Sequence, residues 1–297
     1  MPFLDTRTVW RKAKEYLLFC LVLICVVFLS AGIYLRVRAD QIYLFPSGSF
    51  YSSGSLTKIA TEEQRFAEEF AADARASSAL SQAMTQVSVG KGIAGYYYDN
   101  PETEEITYYQ YPDGIYAEEI LAIAEYTDVF FVGLPGRYGT SLENSRANTY
   151  TVLEAGYRYL LDTQNYAESE ITVFGFSMGG YYATYVASRF APKRLVLVGT
   201  FDTVRGSCPL QTPLGPLCIF AAGLQDQRRL ARQVEGTEVF QFHSVEDELV
   251  PYADGENLFG HFSEPKKFAP LRGSHHDYSV EEIYSSLFVP TTAKLLR

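Results

Sequence analysis

The sequence predicts an α/β protein: a mostly parallel sheet with helices on both faces, preceded by one N-terminal apolar helix. Three observations carry this. An uncharged run lies near the N-terminus, short apolar strands alternate with helical stretches from residue 86 onward, and a serine between glycines sits where a strand passes into a helix.

The first element is the run Tyr16 to Leu35, YLLFCLVLICVVFLSAGIYL, which carries no charge. At 1.5 Å per residue it matches the ~30 Å hydrocarbon layer of a bilayer, so 16–35 is expected to be a transmembrane anchor. Its apolar core exceeds a signal-peptide h-region and it ends without an A-x-A site, which favours an uncleaved anchor. Arg7, Arg11, Lys12 and Lys14 precede it, and Arg36 and Arg38 follow, so segment 1–15 is expected on the cytoplasmic side and the remainder on the other. Residues 36–85 read as connector and cap: QIYLFPSGSFYSSGS leaves the membrane interface, and Thr61 to Met84 has the helical spacing of Phe66 and Phe70 among glutamates and alanines.

Residues 86–297 form the expected catalytic domain. Gly92 to Tyr98 and Ile106 to Tyr111 read as neighbouring strands across the turn residues DNPETEE. There follow helix 115–126, strand 128–133, helix 144–161, strand 171–175, helix 178–190, strand 195–198, helix 224–234, strand 237–242 and a last helix 280–288. Strands as uniformly apolar as LVLV are buried on both faces, which is the mark of a parallel sheet. Thr203 to Gly223 breaks the alternation with Pro, Gly and Cys and is expected to contribute a lid; within it Cys208 and Cys218 form a disulfide in an exported domain or stay as thiols.

The chemistry gathers around Gly175-Phe176-Ser177-Met178-Gly179, which follows the strand ITVFG and precedes the helical run YYATYVASRF. Small residues two positions either side let strand and helix close on a strained turn that exposes the serine hydroxyl, and the N–H of Met178 faces where an oxyanion would develop. A serine needs a base oriented by an acid, here in the order Ser, Asp, His. Asp247, in HSVEDELVP beyond strand TEVFQFH, fits the acid, with Glu246 and Glu248 as solvated neighbours. In LRGSHHDY, His275 and His276 both stand in a loop suited to the base; His243 reads as a core or edge histidine and His261 as a residue at a helix end.

Over residues 90 to the C-terminus the chain resembles the alpha/beta-hydrolase superfamily. The segments GIAGYYYDN, LPGRYGTS, GFSMGG, EDELVP and GSHHD, with IYLFPS after the anchor, resemble membrane-anchored serine hydrolases related to prolyl-oligopeptidase-like esterases and depalmitoylating thioesterases. The resemblance implies catalytic roles for Ser177, Asp247 and His275. It also exposes a departure: such relatives carry His-Gly after the strand matching ITYYQY, whereas this chain has Gln110-Tyr111-Pro112-Asp113-Gly114. Proline has no N–H, so the second oxyanion donor passes to Asp113, to a tyrosine hydroxyl or to nothing.

The expected activity is therefore hydrolysis of an ester, thioester or amide through an acyl-enzyme, on a small-molecule, lipid, acylated or peptidic substrate, with no metal and no cofactor. The competing reading, motivated by the missing His-Gly, is a non-catalytic binding or scaffold protein on the same fold. A net charge of −10 argues against a nucleic-acid partner, since phosphate backbones are bound by clustered Lys and Arg.

Overall fold

A computed structural model of the chain describes residues 84–110, 116–203 and 225–288, together with helical positions 14, 17, 18, 20–31 and 33. Several expectations fall outside these residues: nearly all of the cap helix over Thr61 to Met84, the Pro112-Asp113 segment, and the Cys208 and Cys218 pair. Of the expected anchor, residues 20–31 are continuously helical. Among the described residues no helix is long and apolar enough to cross a membrane.

The described elements are β1 (Met84–Gly90), β2 (Ile93–Tyr98), β3 (Ile106–Gln110), α1 (Ala117–Ala124), β4 (Asp128–Val132), α2 (Arg146–Asp162), β5 (Ile171–Phe176), α3 (Met178–Arg189), β6 (Arg194–Val198), α4 (Gln227–Ala231), β7 (Glu238–Ser244), α5 (Tyr252–Phe259), β8 (Lys266–Leu271) and α6 (Val280–Leu287). They build one sheet in the order β1-β2-β4-β3-β5-β6-β7-β8. From β4 across to β8 every pairing is parallel; β1–β2 and β2–β4 are antiparallel.

This order corrects one expectation. β2 and β3 are not neighbours, because β4 lies between them, with Gly95 opposite Val132 on one side and Ile106 opposite Asp128 on the other. The turn chemistry of DNPETEE was read rightly: Thr103 N–H bonds Asn100 O, and Asn100 N–H bonds Asp128 Oδ1. The turn nevertheless joins strands that are not adjacent, since the crossover from β3 through α1 returns β4 parallel to β3 on the flank a hairpin would have needed. A second correction is at Met84, which opens β1 rather than closing a helix. MTQVSVG is a half-exposed edge strand joined to β2 at Lys91-Gly92, where Gly92 has φ +72°.

Two cores flank the sheet. Tyr108, Phe130, Val173, Leu195 and Leu197 face α2 and α3, while Tyr109, Phe131, Phe174, Val196 and Val198 face α1 and α6. Tyrosines pack in both cores: Tyr108 stacks on Phe130 at 5.6 Å and Tyr109 on Phe174 at 5.5 Å. Buried tyrosine hydroxyls still need partners. Tyr108 donates to Leu153 O at 3.1 Å, and Tyr284 bonds Thr107 Oγ1 at 3.2 Å. Caps set two helix starts: Ser145 Oγ accepts Asn148 N–H and Ser279 Oγ accepts Glu282 N–H.

Candidate active site

Ser177, Asp247 and His275 follow β5, β7 and β8, so all three emerge at the carboxyl edge of the sheet, where ligands of open α/β sheets bind. Ser177 has φ 51° and ψ −119°, a region that non-glycine residues avoid unless their surroundings impose it. Here they do. Its N–H bonds Val198 O at 2.9 Å, and its carbonyl accepts from Gly180 N at 3.0 Å and from Thr200 Oγ1 at 2.8 Å. The turn needs glycine at 175, where a Cβ would stand 2.4 Å from Gly179 O, and at 180, where it would stand 2.5 Å from Thr200.

Gln227, the first residue of α4, reinforces the same turn. Its Nε2 donates to Thr184 Oγ1 at 2.7 Å and Gly180 O at 3.1 Å, and its Oε1 lies 3.0 Å from Thr200 Oγ1. An antiparallel bridge between Thr203 and Asp226 brings together the two ends of the Pro-rich segment just before it. Met178 opens α3, so its N–H is one of the N-terminal donors that have no partner within the helix. The other expected oxyanion donor, Asp113, lies outside the described residues.

The acid loop leaves β7 at Ser244. Asp247 Oδ1 accepts Leu249 N–H at 2.9 Å and Val250 N–H at 2.7 Å, and Oδ2 accepts His275 Nδ1–H at 2.7 Å. His243 Nε2 lies 3.4 Å from the same Oδ2. Burial alone would raise the Asp247 pKa, but hydrogen bonds from His243, His275 and Val250 N, with the His275 charge, hold it well below the usual carboxylate range. With Nδ1 donating to the carboxylate, the lone pair of His275 sits on Nε2.

His275 is buried against Phe176, with ring centroids 4.8 Å apart, while His276 is exposed. Phe176 immediately precedes Ser177, so the histidine ring lies beside the Ser177 turn. Glu246 and Glu248 have exposed side chains, as expected, yet they are more than solvated neighbours. Glu246 Oε2 accepts Gly273 N–H at 2.8 Å and Glu248 Oε2 accepts His275 N–H at 3.0 Å; Ser244 Oγ donates to Gly273 O. Three contacts thus tie the acid loop to the histidine loop. Gly273, at φ +97°, is where that loop turns over Asp277.

Sequence reading missed Thr200, Gln227 and Glu119. Glu119, in the first turn of α1, accepts from Tyr109 OH at 2.5 Å and Tyr278 OH at 2.7 Å, and burial pushes its carboxyl above the ordinary value despite those donors. His261, just past α5, lies 3.3 Å from Arg232, in keeping with a helix-end histidine. Among the described residues no cluster of His, Cys, Asp or Glu is arranged to hold a metal ion.

No protein-family model matches the sequence, and no curated protein is similar to it. Solved structures are similar in fold at low identity. An alpha-beta hydrolase from Vibrio vulnificus has a TM-score of 0.56 at 14% identity, over 81% of this chain and 94% of its own. Est1E from Butyrivibrio proteoclasticus reaches 0.53 at 14% identity, over 72% and 100%, and acetyl xylan esterase 1 from Thermoanaerobacterium 0.53 at 12%, over 66% and 78%. The eight-stranded sheet, its order and the serine turn at the end of β5 are those of the alpha/beta-hydrolase fold, and this chain has that fold.

Proposed function

We propose that the chain is a serine hydrolase that cleaves an ester, thioester or amide through an acyl-enzyme. The observation that carries this reading is the 2.7 Å bond from His275 Nδ1 to Asp247 Oδ2, beside a serine held at positive φ by three backbone contacts. In the proposed reaction Ser177 Oγ attacks the acyl carbon as His275 Nε2 takes its proton. The carbonyl electrons move to an oxyanion facing the Met178 N–H, with Asp113 as second donor. Collapse expels the leaving group, which takes the proton from His275. Water then enters by the same path, releasing the carboxylic acid and restoring Ser177.

One of the similar structures is named an acetyl xylan esterase, which makes acetyl and other short-chain esters the first substrates to test. The anchor belongs to the same proposal: Leu17, Leu18, Leu21, Val22, Ile24 and Ile33 are all more than half exposed on their helix, as suits side chains meant for lipid, with the catalytic domain on the non-cytoplasmic face. A fluorophosphonate probe should label the full-length protein in an alkali-washed membrane pellet. Ser177→Ala should abolish labelling and lower ester turnover by about 10⁶-fold. Folded wild type that neither labels nor hydrolyses any ester in a broad panel would favour the scaffold reading instead.

A further inference from the structure

His243, the penultimate residue of β7, is fully buried four positions before Asp247. Its Nε2 lies 3.0 Å from Val250 O and 3.4 Å from Asp247 Oδ2. A carbonyl oxygen only accepts, so Nε2 carries the proton and Nδ1 the lone pair. Nδ1 is buried and has no hydrogen-bond partner. The ring is fixed in that orientation from behind: a Cβ at Gly255 would stand 2.3 Å from Nδ1, so α5 presses its bare backbone on the imidazole, and Tyr252 meets the ring edge-on at 5.9 Å.

We propose that His243 is a positioning residue of the same site, whose single Nε2–H is shared between the Val250 carbonyl and Asp247 and so sets the carboxylate on which His275 bears. The proposal rests on the reading of Asp247 and His275 as acid and base. Asp247 Oδ2 then lies between two imidazole N–H groups, while Oδ1 is held by two peptide N–H groups, so the carboxylate cannot swing without losing at least two donors. The His243 N–H also draws negative charge away from His275. Removing it concentrates that charge on the His275 side and makes the imidazolium easier to form, so the base is lost at a higher pH.

The charged and titratable groups facing His243 are Asp247 from its loop and Asp254 and Tyr252 from α5, with Asp202 and Arg228 behind Asp254 and His275 across Asp247. The Asp254 carboxyl is pushed up to about 6, chiefly by burial and then by the charge of Asp202. The His243 charge lowers that value and is lost in both substitutions alike, so Asp254 does not distinguish His243→Leu from His243→Gln.

The test compares two substitutions in the full-length protein in detergent micelles, assayed with 4-nitrophenyl butyrate. His243→Gln retains an N–H at the reach of Nε2; His243→Leu keeps similar bulk without one. His243→Leu is expected to lose roughly 10- to 100-fold in kcat with KM within about twofold, and to move the acid limb of the kcat/KM profile upward. His243→Gln should recover most of kcat and keep the limb in place. Equal losses in both variants with an unmoved limb, or no loss in His243→Leu, would overturn the proposal and leave His243 as packing. ¹⁵N-histidine spectra of wild type give a readout independent of turnover: the Nε2–H tautomer is expected at about pH 7.5, and an Nδ1–H tautomer overturns the proposal even if both variants are too unstable to assay. Wild type that neither labels nor hydrolyses would sink the hydrolase reading, while the spectra still decide the tautomer.

Discussion

Asp247 and Asp128 are both buried carboxylates at the ends of strands, each surrounded by donors, and they titrate in opposite directions. Asp128, at the amino end of β4, accepts Asn100 N–H at 2.6 Å, Tyr97 OH at 2.8 Å and Tyr166 OH. Burial outweighs these bonds and raises its pKa, with the Asp99 charge adding to the rise. Asp247, at the carboxyl end of β7, is depressed. The difference lies in the balance of donors: Asp128 has one peptide N–H beside two phenols, whereas Asp247 has two peptide N–H groups and two imidazoles. A phenol can accept as readily as it donates, so it bonds a protonated carboxyl almost as well as an ionised one. An imidazole or peptide N–H directed at an oxygen bonds only a lone pair, and the imidazole can become positive as well. The sheet thus has one end where a carboxyl is merely packed and another where it is kept charged.

Asp247→Asn is the largest expected break in this comparison. An amide cannot draw the Nδ1–H tautomer and the developing charge of His275 as a carboxylate does, so kcat for ester hydrolysis should fall by roughly 10³- to 10⁴-fold. A fall of less than tenfold would place the acid elsewhere. Asp128→Asn should leave kcat within about twofold and cost about 1 to 2 kcal/mol of stability in urea unfolding, because one acceptor among two tyrosines is lost. Loss of activity in that variant would mean that the two ends of the sheet are coupled.

The smallest and most discriminating effect is the pH slope of each stability deficit. A depressed pKa gives stability that is present above the unfolded value of about 4 and is lost as pH falls below it. The deficit of Asp247→Asn should therefore be small at low pH and grow as pH rises through that value. A raised pKa gives the reverse, since ionisation above about 4 costs the folded state. The deficit of Asp128→Asn should be greatest at low pH and shrink as pH rises. Parallel slopes in urea titrations from about pH 3 to 7 would contradict the contrast.

How much of this was legible depended on whether the signal was local in sequence. The Ser177 turn was, because Gly175 and Gly180 are required by contacts within a few residues of it and with the next strand. The placement of β4 between β2 and β3 was not: the turn residues were correct, but pairing is decided by the handed crossover through α1, which no turn motif encodes. β1 escaped because a half-exposed edge strand lacks the apolar run that marked the buried ones. Asp247 was singled out by its position after a strand, yet its contact with His243 was invisible, since a spacing of four residues suggests a helix face and here it spans a loop. Thr200 and Gln227 gave no signal at all: each is an ordinary polar residue until the fold delivers it to the back of Ser177.

The bridge between Thr203 and Asp226 has a consequence for how such a molecule changes over time. Because Thr203 and Asp226 are already clasped, and Gln227 bolts the return directly onto α3, the described hydrogen bonds that hold Ser177 all come from residues outside the excursion between them. Doubling the length of such an excursion costs only about 0.6 kcal/mol of closure entropy. A change in the number of residues between Thr203 and Asp226 is therefore expected to leave the hydrogen bonds that hold Ser177 as they are.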